Sequence, residues 1–279
     1  MKQIKISVLS AIVLLMLFHK SFAQIQGATS TVSLPKGETS VNSKSIVYQK
    51  QIWARLYNRI KFNDKWTLHT EVEVRRYVAP SRAYQTMLPR IHIHRTLGNS
   101  GWEALVGVAY FTNTQNVNDP TQRTTVNVPE IRPMIGLDYS QKTTKRLELG
   151  HRYWLEERFQ HNYNSTTDVL TNGYQFNFRA RYRFQAQYAI IKKETSKGTL
   201  RINFSDEIFI NVSKAAIINT FDQNRIFAGL DYGLSKNFNL QAGYYQIYQA
   251  SSSTAGKYYR RDALRVTLFY NINASKKDQ

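Results

Sequence analysis

Polar and apolar residues change places at nearly every step along most of this chain. In residues 174–188, YQFNFRARYRFQAQY, the positions Tyr174, Phe176, Phe178, Ala180, Tyr182, Phe184, Ala186 and Tyr188 alternate with Gln175, Asn177, Arg179, Arg181, Arg183, Gln185 and Gln187. A period of two is the repeat of a β-strand, whose successive side chains leave opposite faces. The same alternation runs through Ile131–Tyr139, Ile226–Leu234 and Leu264–Ile272. Eleven such runs follow one another, at roughly 50–62, 66–78, 84–97, 102–113, 127–140, 145–159, 173–190, 199–212, 223–235, 238–250 and 258–272. Strong helical periodicity is found nowhere, so the expectation is an all-β chain.

The connections fall into two classes that take turns along much of the chain. Asn63–Lys65, Gly98–Gly101, Gln141–Thr144, Lys192–Lys197 and Ser235–Asn237 are mostly short and carry turn-forming residues or charge. Asn113–Val126, Gln160–Asn172, Ser213–Asp222 and Ser251–Lys257 are mostly longer and rich in Asn, Thr, Ser and Gln. Outer-membrane barrels have this asymmetry, with short periplasmic turns and longer external loops. Aromatics near strand ends, such as Trp66, Trp102, Phe159, Tyr174 and Phe238, fit interfacial girdles. The predicted fold is a transmembrane antiparallel up-and-down β-barrel of ten to twelve strands. Eleven is odd, whereas single-chain bacterial barrels have even counts. A twelfth strand is therefore expected within Val32–Val47 or from a split of the longest runs; ten strands with one run outside the wall is the other option.

The start of the chain bears on location. Lys2 and Lys5 precede an apolar stretch, Val8–Phe18, and Ser21-Phe22-Ala23 places small residues as a cleavage site needs them. The expected organisation is a signal peptide at 1–23, a flexible segment at 24–47 that has room for a first strand, a barrel at 48–273 and a polar tail at 274–279. The expected location is the outer membrane of a Gram-negative bacterium. No stretch beyond the leader is long and apolar enough for a spanning helix, and mean hydropathy is negative. Alternation halves the hydropathy of a spanning strand, so neither fact argues against a barrel.

The chain has 279 residues and no cysteine, which excludes disulfides and thiolate metal sites. Losing Lys2, Lys5 and Lys20 with the leader takes the formal charge from +19 to +16. The basic residues are spread through the strands at alternate positions instead of forming a patch, and with export this argues against nucleic acid as a partner. Such a charge suits a field inside a cavity or contact with anionic headgroups.

One residue set shares the polar face. Its core is the charge cluster Glu130, Arg132, Glu148, Arg152, Glu156, Arg158, Arg179, Arg181, Arg183, Arg201, Glu207, Arg225 and Arg265, accompanied by His69, Glu71, Glu73, Arg75, Arg90, His92 and His94. Guanidinium and carboxylate pair as flat forks, so the set reads either as a structural plug or as a lumen for an anionic solute. His92 and His94 lie two apart on one face, but a metal site needs a third ligand that the sequence does not supply. No metal, cofactor or catalytic residue is expected. Ser205 and His151 are candidates for a nucleophile and a base, yet nothing fixes them in space and no Gly-x-Ser-x-Gly occurs.

An ordered series of segments carries a further reading. Trp53 is followed by NDKWTLHTEVEVR at 63–75, PEIRP at 129–133, LELGHRYWLEERF at 147–159, FRARYRF at 178–184, SDEIFIN at 205–211, FDQNRIFAGLDYGLSKNFNLQAGY at 221–244 and a closing RVTLFYN. Together they resemble the bacterial outer-membrane barrel family known as domain of unknown function 2490, which is frequent in the Bacteroidota. The resemblance implies an outer-membrane barrel of unassigned activity and supplies no catalytic residues. It implies recurrent charges at Glu130, Arg132, Arg152, Glu157, Arg158, Glu207 and Arg225. Strict alternation from Arg152 instead turns Glu156 inward, and a bulge near Trp154 would reconcile the two. The expected role is structural, or a narrow passage or binding barrel for small solutes, with membrane lipid and a small anionic solute as partners. The alternatives are an enzyme acting on lipid or lipopolysaccharide, and an accessory subunit of an envelope complex.

Overall fold

The structure is a computed structural model and describes residues 44–78, 83–114, 126–164, 166–212, 219–251 and 255–275. The expected leader, the segment 24–43 and the last four residues of the expected tail lie outside the described residues. Eleven strands close into one barrel: β1 Ser45–Lys61, β2 Trp66–Tyr77, β3 Ala83–Thr96, β4 Trp102–Thr114, β5 Asn127–Lys142, β6 Leu147–Asn164, β7 Val169–Ile191, β8 Leu200–Asn211, β9 Phe221–Gly233, β10 Phe238–Ala250 and β11 Lys257–Asn273. Each strand pairs antiparallel with its neighbours in sequence, except at the seam, where β1 lies parallel to β11 from Ser45↔Lys257 to Lys61↔Asn273.

The seam corrects two expectations. An odd number of strands in up-and-down order leaves the first and last running the same way, so the closing pair is parallel and the barrel is not antiparallel throughout. The eleven runs are the eleven strands, and the closed wall has no place for a twelfth. Of the segment expected to hold that strand, residues 45–47 belong to β1. Following partners around the wall from Lys61 through Thr67 and His94 on to Tyr259 returns to β1 at Val47, fourteen residues from the start. A stagger of that size requires strands tilted by roughly 35–45°.

The period of two becomes an inside and an outside. In β7, Arg179 and Arg181 are buried while Tyr174, Phe176 and Tyr188 remain exposed. On the outer surface Ile52, Val106, Ile135, Leu230, Leu264 and Val266 stand clear of any cover, Leu264 with 60 % of its surface exposed. Aromatic pairs flank this band at both ends. Trp102–Tyr139 (4.8 Å between centroids) and Phe238–Tyr270 (4.5 Å) lie toward the short turns, and Phe159–Phe176 (5.0 Å) and Tyr248–Tyr258 (5.1 Å) toward the long connections. The interior is mostly polar, with two apolar wedges. Trp53 stacks on Tyr245 at 5.2 Å, and Met134 and Trp154 pack with Leu105, Ala109 and Phe111.

β6 and β7 pair from Leu147↔Tyr188 to Asn164↔Val169, well past the runs at 145–159 and 173–190. Their far ends are polar or exposed on both faces, so alternation ends there although the ladder continues. In β3 the register slips between Met87 and Arg90 against β4, next to Pro89, which has no amide to give to a ladder. The β1–β2 turn is held by Asn63, whose Oδ1 accepts from the amides of Lys65 and Trp66, both at 2.9 Å. Beside it, the hydrogen bond from Lys61 at 2.6 Å holds the Asp64 carboxyl below its ordinary range. Asn63→Ala is expected to lower barrel stability by about 1 kcal/mol, read as a shift in the urea unfolding midpoint.

Candidate functional site

The lumen is built from alternate positions on every strand, and its charges meet across strands because the register sets them side by side. Glu156 on β6 sits opposite Arg179 on β7. It is fully buried and takes hydrogen bonds from both Arg179 and Arg181. Arg179 also reaches Asp222 at 2.8 Å, and Arg181 reaches Glu207 at 2.7 Å. A second knot centres on Glu130, which accepts from Arg132 and Arg158, each at 2.6 Å at the closest. These two knots lie on the halves of β5, β6 and β7 nearer the long connections.

Nearer the short turns the pairs are simpler. Arg152 forks onto Asp138 at 2.9 and 3.1 Å, and Arg201 meets Asp231 at 3.0 Å. Glu148 stands at the turn end, where it accepts from Ser140 Oγ at 2.7 Å. Along β2, from its middle toward the end away from the short turn, Glu71 takes Arg90 at 2.7 Å and Arg55 at 3.3 Å, and Glu73 takes Arg75 at 2.7 Å, with Arg265 at 4.0 Å. Arg55, Asp138, Asp222 and Asp231 are partners that the sequence reading left out of the inner set. The parity of Asp138 with Arg132 and of Asp231 with Arg225 was the available signal.

Two of the arginines that line the inner cavity differ from the others there. Among the described residues no carboxylate oxygen lies within 4.0 Å of the Arg183 or Arg225 guanidinium. Arg183 Nε has no hydrogen-bond partner, and Arg225 Nε donates to the neutral Gln223 at 2.9 Å while its guanidinium lies over Phe209. Both line an inner cavity of about 240 Å³. Its charged lining is Arg55, Arg75, Arg90, Arg152, Arg181, Arg183, Arg225 and Arg265 against Glu71, Glu73 and Glu207. A second cavity of about 400 Å³ opens toward the short turns, past Arg59, Glu103 and Asn271. The two share Tyr57, Arg152, Arg183, Gln185, Gln187 and Phe269, so the second serves as a vestibule to the first.

His92 and His94 both turn inward, and β2 brings His69 against them. Ser205 and His151 do not meet. Ser205 is buried in the lumen, whereas the His151 ring packs on the outer face with Tyr182 and Phe184.

A family model described as "Protein of unknown function (DUF2490)" matches residues 50–259, from within β1 to the start of β11. The chain belongs to the DUF2490 family. No curated protein matches it. Among solved structures, "NanC porin structure in rhombohedral crystal form" is similar at 11 % identity and a TM-score of 0.42, over 72 % of this chain and 82 % of that one.

In this DUF2490 protein the implied charge at Glu157 does not join the lumen set, and the bulge that would have turned it inward is missing. β6 keeps one register with β5 from Glu130↔Gln160 to Lys142↔Glu148, and one with β7 from Leu147↔Tyr188 to His161↔Tyr174. No bulge stands near Trp154, so Glu156 is the lumen carboxylate and Glu157 lies opposite Phe178 on the outer face.

Proposed function

We propose that this DUF2490 protein is an outer-membrane barrel whose lumen binds a small anionic solute entering from the short-turn end. Support for the membrane comes from the exposed aliphatic band with aromatics at both rims. In water such a surface would be an aggregation hazard, whereas in a bilayer it is the solvated face. Closure of the wall pairs the backbone groups that hydrocarbon leaves without partners.

The observation that carries the solute is the pair Arg183 and Arg225, facing the inner cavity with no carboxylate oxygen within 4.0 Å among the described residues, because Glu207, opposite both, is taken by Arg181. Charged groups in a narrow, low-dielectric space act at greater range than in bulk water, and an anion would complete their pairing. The inner cavity and its vestibule together reach the range of about 300–1,000 Å³ usual for small-molecule sites. The ion-pair knot around Glu156 borders the inner cavity through Arg181 and Glu207, and with the knot around Glu130 it fills lumen beyond it, which favours a binding barrel over a freely open pore.

Trp53 and Trp154 line the cavity and report on it. Titrating detergent-solubilised protein with citrate is expected to change tryptophan fluorescence saturably, and Arg183→Gln with Arg225→Gln is expected to weaken the response at least tenfold. An unchanged affinity in the folded double variant, or no saturable response with citrate or inorganic phosphate, would refute the reading.

A further inference from the structure

We propose that His69, His92 and His94 form a binding site for a divalent transition metal of the zinc class, set in the inner wall where vestibule and inner cavity meet. The strands dictate the grouping. His92 and His94 share the inner face of β3, and the β2–β3 register puts His69 directly opposite His92. Each of the three offers a ring nitrogen within 4.8 Å of the others. The His69 and His94 rings stack at 4.0 Å between centroids, with His92 at 5.1 Å from His69 and 4.9 Å from His94. Gly107 on β4 faces His92, and a Cβ there would collide with the His92 Cβ and the Ile91 carbonyl, so the glycine lets β4 lie close against β3 at His92.

Two further observations point to a ligand. First, all three side chains are more than nine-tenths buried, yet among the described residues His69 Nε2 has no hydrogen-bond partner. His92 Nδ1 and His94 Nε2 are paired with each other at 2.7 Å. A buried nitrogen without a partner is destabilising, and a bound metal would relieve it. Second, each ring has an outer polar group, as metal-bound imidazoles do. Tyr57 Oη lies 2.6 Å from His69 Nδ1, Glu103 Oε2 lies 3.1 Å from His94 Nδ1, and Glu71 Oε1 lies 3.8 Å from His92 Nε2. With those atoms turned outward, His69 Nε2, His94 Nε2 and His92 Nδ1 remain as the ligand set.

Three neutral imidazoles suit zinc, copper, nickel or cobalt rather than magnesium or calcium, which take oxygen ligands. Three protein nitrogens also match the ligand count of zinc sites that keep a position open. Neighbouring nitrogens in a tetrahedral zinc shell lie about 3.3 Å apart at bond lengths of about 2.0–2.1 Å. Loading therefore opens the 2.7 Å contact through a small turn of the rings. His69 lines the vestibule and His92 the inner cavity, so the open position is reachable from the lumen.

The chain has six histidines, of which His19 falls in the expected leader and His151 and His161 are remote from the cluster. Tag-free full-length protein, stripped with chelator in detergent, is expected to bind one Zn²⁺ per chain in equilibrium dialysis and to give the visible absorption of Co²⁺ in a nitrogen-rich site. His69→Gln and His92→Gln should each weaken Zn²⁺ binding at least 100-fold, and Glu103→Gln about tenfold through the orientation of His94. His151→Gln with His161→Gln should leave it unchanged. Less than a tenth of an ion per chain in the wild type, or unaltered binding in His69→Gln, would overturn the site. If the histidine variants fail to fold, the stoichiometry and Co²⁺ spectrum of the wild type still decide. Arg183 and Arg225 are not ligands, so loss of the anion response and loss of the metal are separable outcomes.

Discussion

Glu156→Leu is expected to lower the stability of the folded barrel by about 3–5 kcal/mol, while Glu157→Leu, one residue on, changes it by less than about 1 kcal/mol or raises it. Glu156 is wholly buried and is the middle member of the series Asp222–Arg179–Glu156–Arg181–Glu207. Its removal takes acceptors from two guanidiniums at once and leaves them facing each other without the anion that separates them. Water is poorly placed to substitute, because Arg179 and Arg181 are themselves buried. Glu157 has the same chemistry on the other side of the wall, opposite Phe178, where leucine suits an apolar surround better than a carboxylate. The two variants differ only in parity, so the comparison is internally controlled. Urea unfolding in detergent, followed by tryptophan fluorescence and heat-modifiable gel mobility, measures both. Equal losses, or the larger loss at Glu157, would mean that β6 is placed one residue out of register.

How far such features can be read from the chain depends on whether they are local to a strand. Parity is local. The alternation around Arg179, Arg181 and Arg183 assigns them a face without knowledge of any neighbour, and it also distinguishes Glu156 from Glu157. Partners are not local. Asp222 precedes the run that begins at 223, and only the β7–β9 arrangement brings it to Arg179. His69 is more than twenty residues from His92, and the turn at Asn63 together with the β2–β3 register makes them opposite. The outer ends of β6 and β7 were invisible for another reason: with both faces polar or exposed, no hydrophobic period marks the ladder there, which backbone pairing and polar contacts such as Asn162 Nδ2 to the Asn172 carbonyl at 2.9 Å hold. Closure is the least local property. No residue in β1 or β11 announces whether the two strands meet directly or through another strand, and the rule of even counts gave the wrong neighbour.

Cysteines placed at Ile52 and Leu264 are expected to form a disulfide in nearly every folded molecule. The two are Cα partners across the parallel seam, and both side chains point outward, with 51 % and 60 % of their surface exposed. Adjacent strands lie about 4.7–4.9 Å apart, within the Cα separation of about 4.4–6.8 Å that a disulfide spans. A strand inserted between β1 and β11 would double the spacing to about 10 Å and forbid the bond. The native chain has no cysteine, so every cross-link comes from the engineered pair. Bonding joins residues 212 apart in register, and the closed loop shows as altered mobility in unfolded samples, reversed by reductant. Shifting one cysteine by a single position, to Gln51 with Leu264, turns that side chain into the lumen and should abolish the link, because the one-residue slip exchanges faces. Cross-linking of the offset pair with failure of the aligned one would mean a different register, and failure of both would mean that β1 and β11 are not neighbours. The outcome also bears on the lumen. Trp53 and Arg55 on β1 reach the inner cavity beside Arg265 on β11, so the composition of that cavity depends on this one pairing.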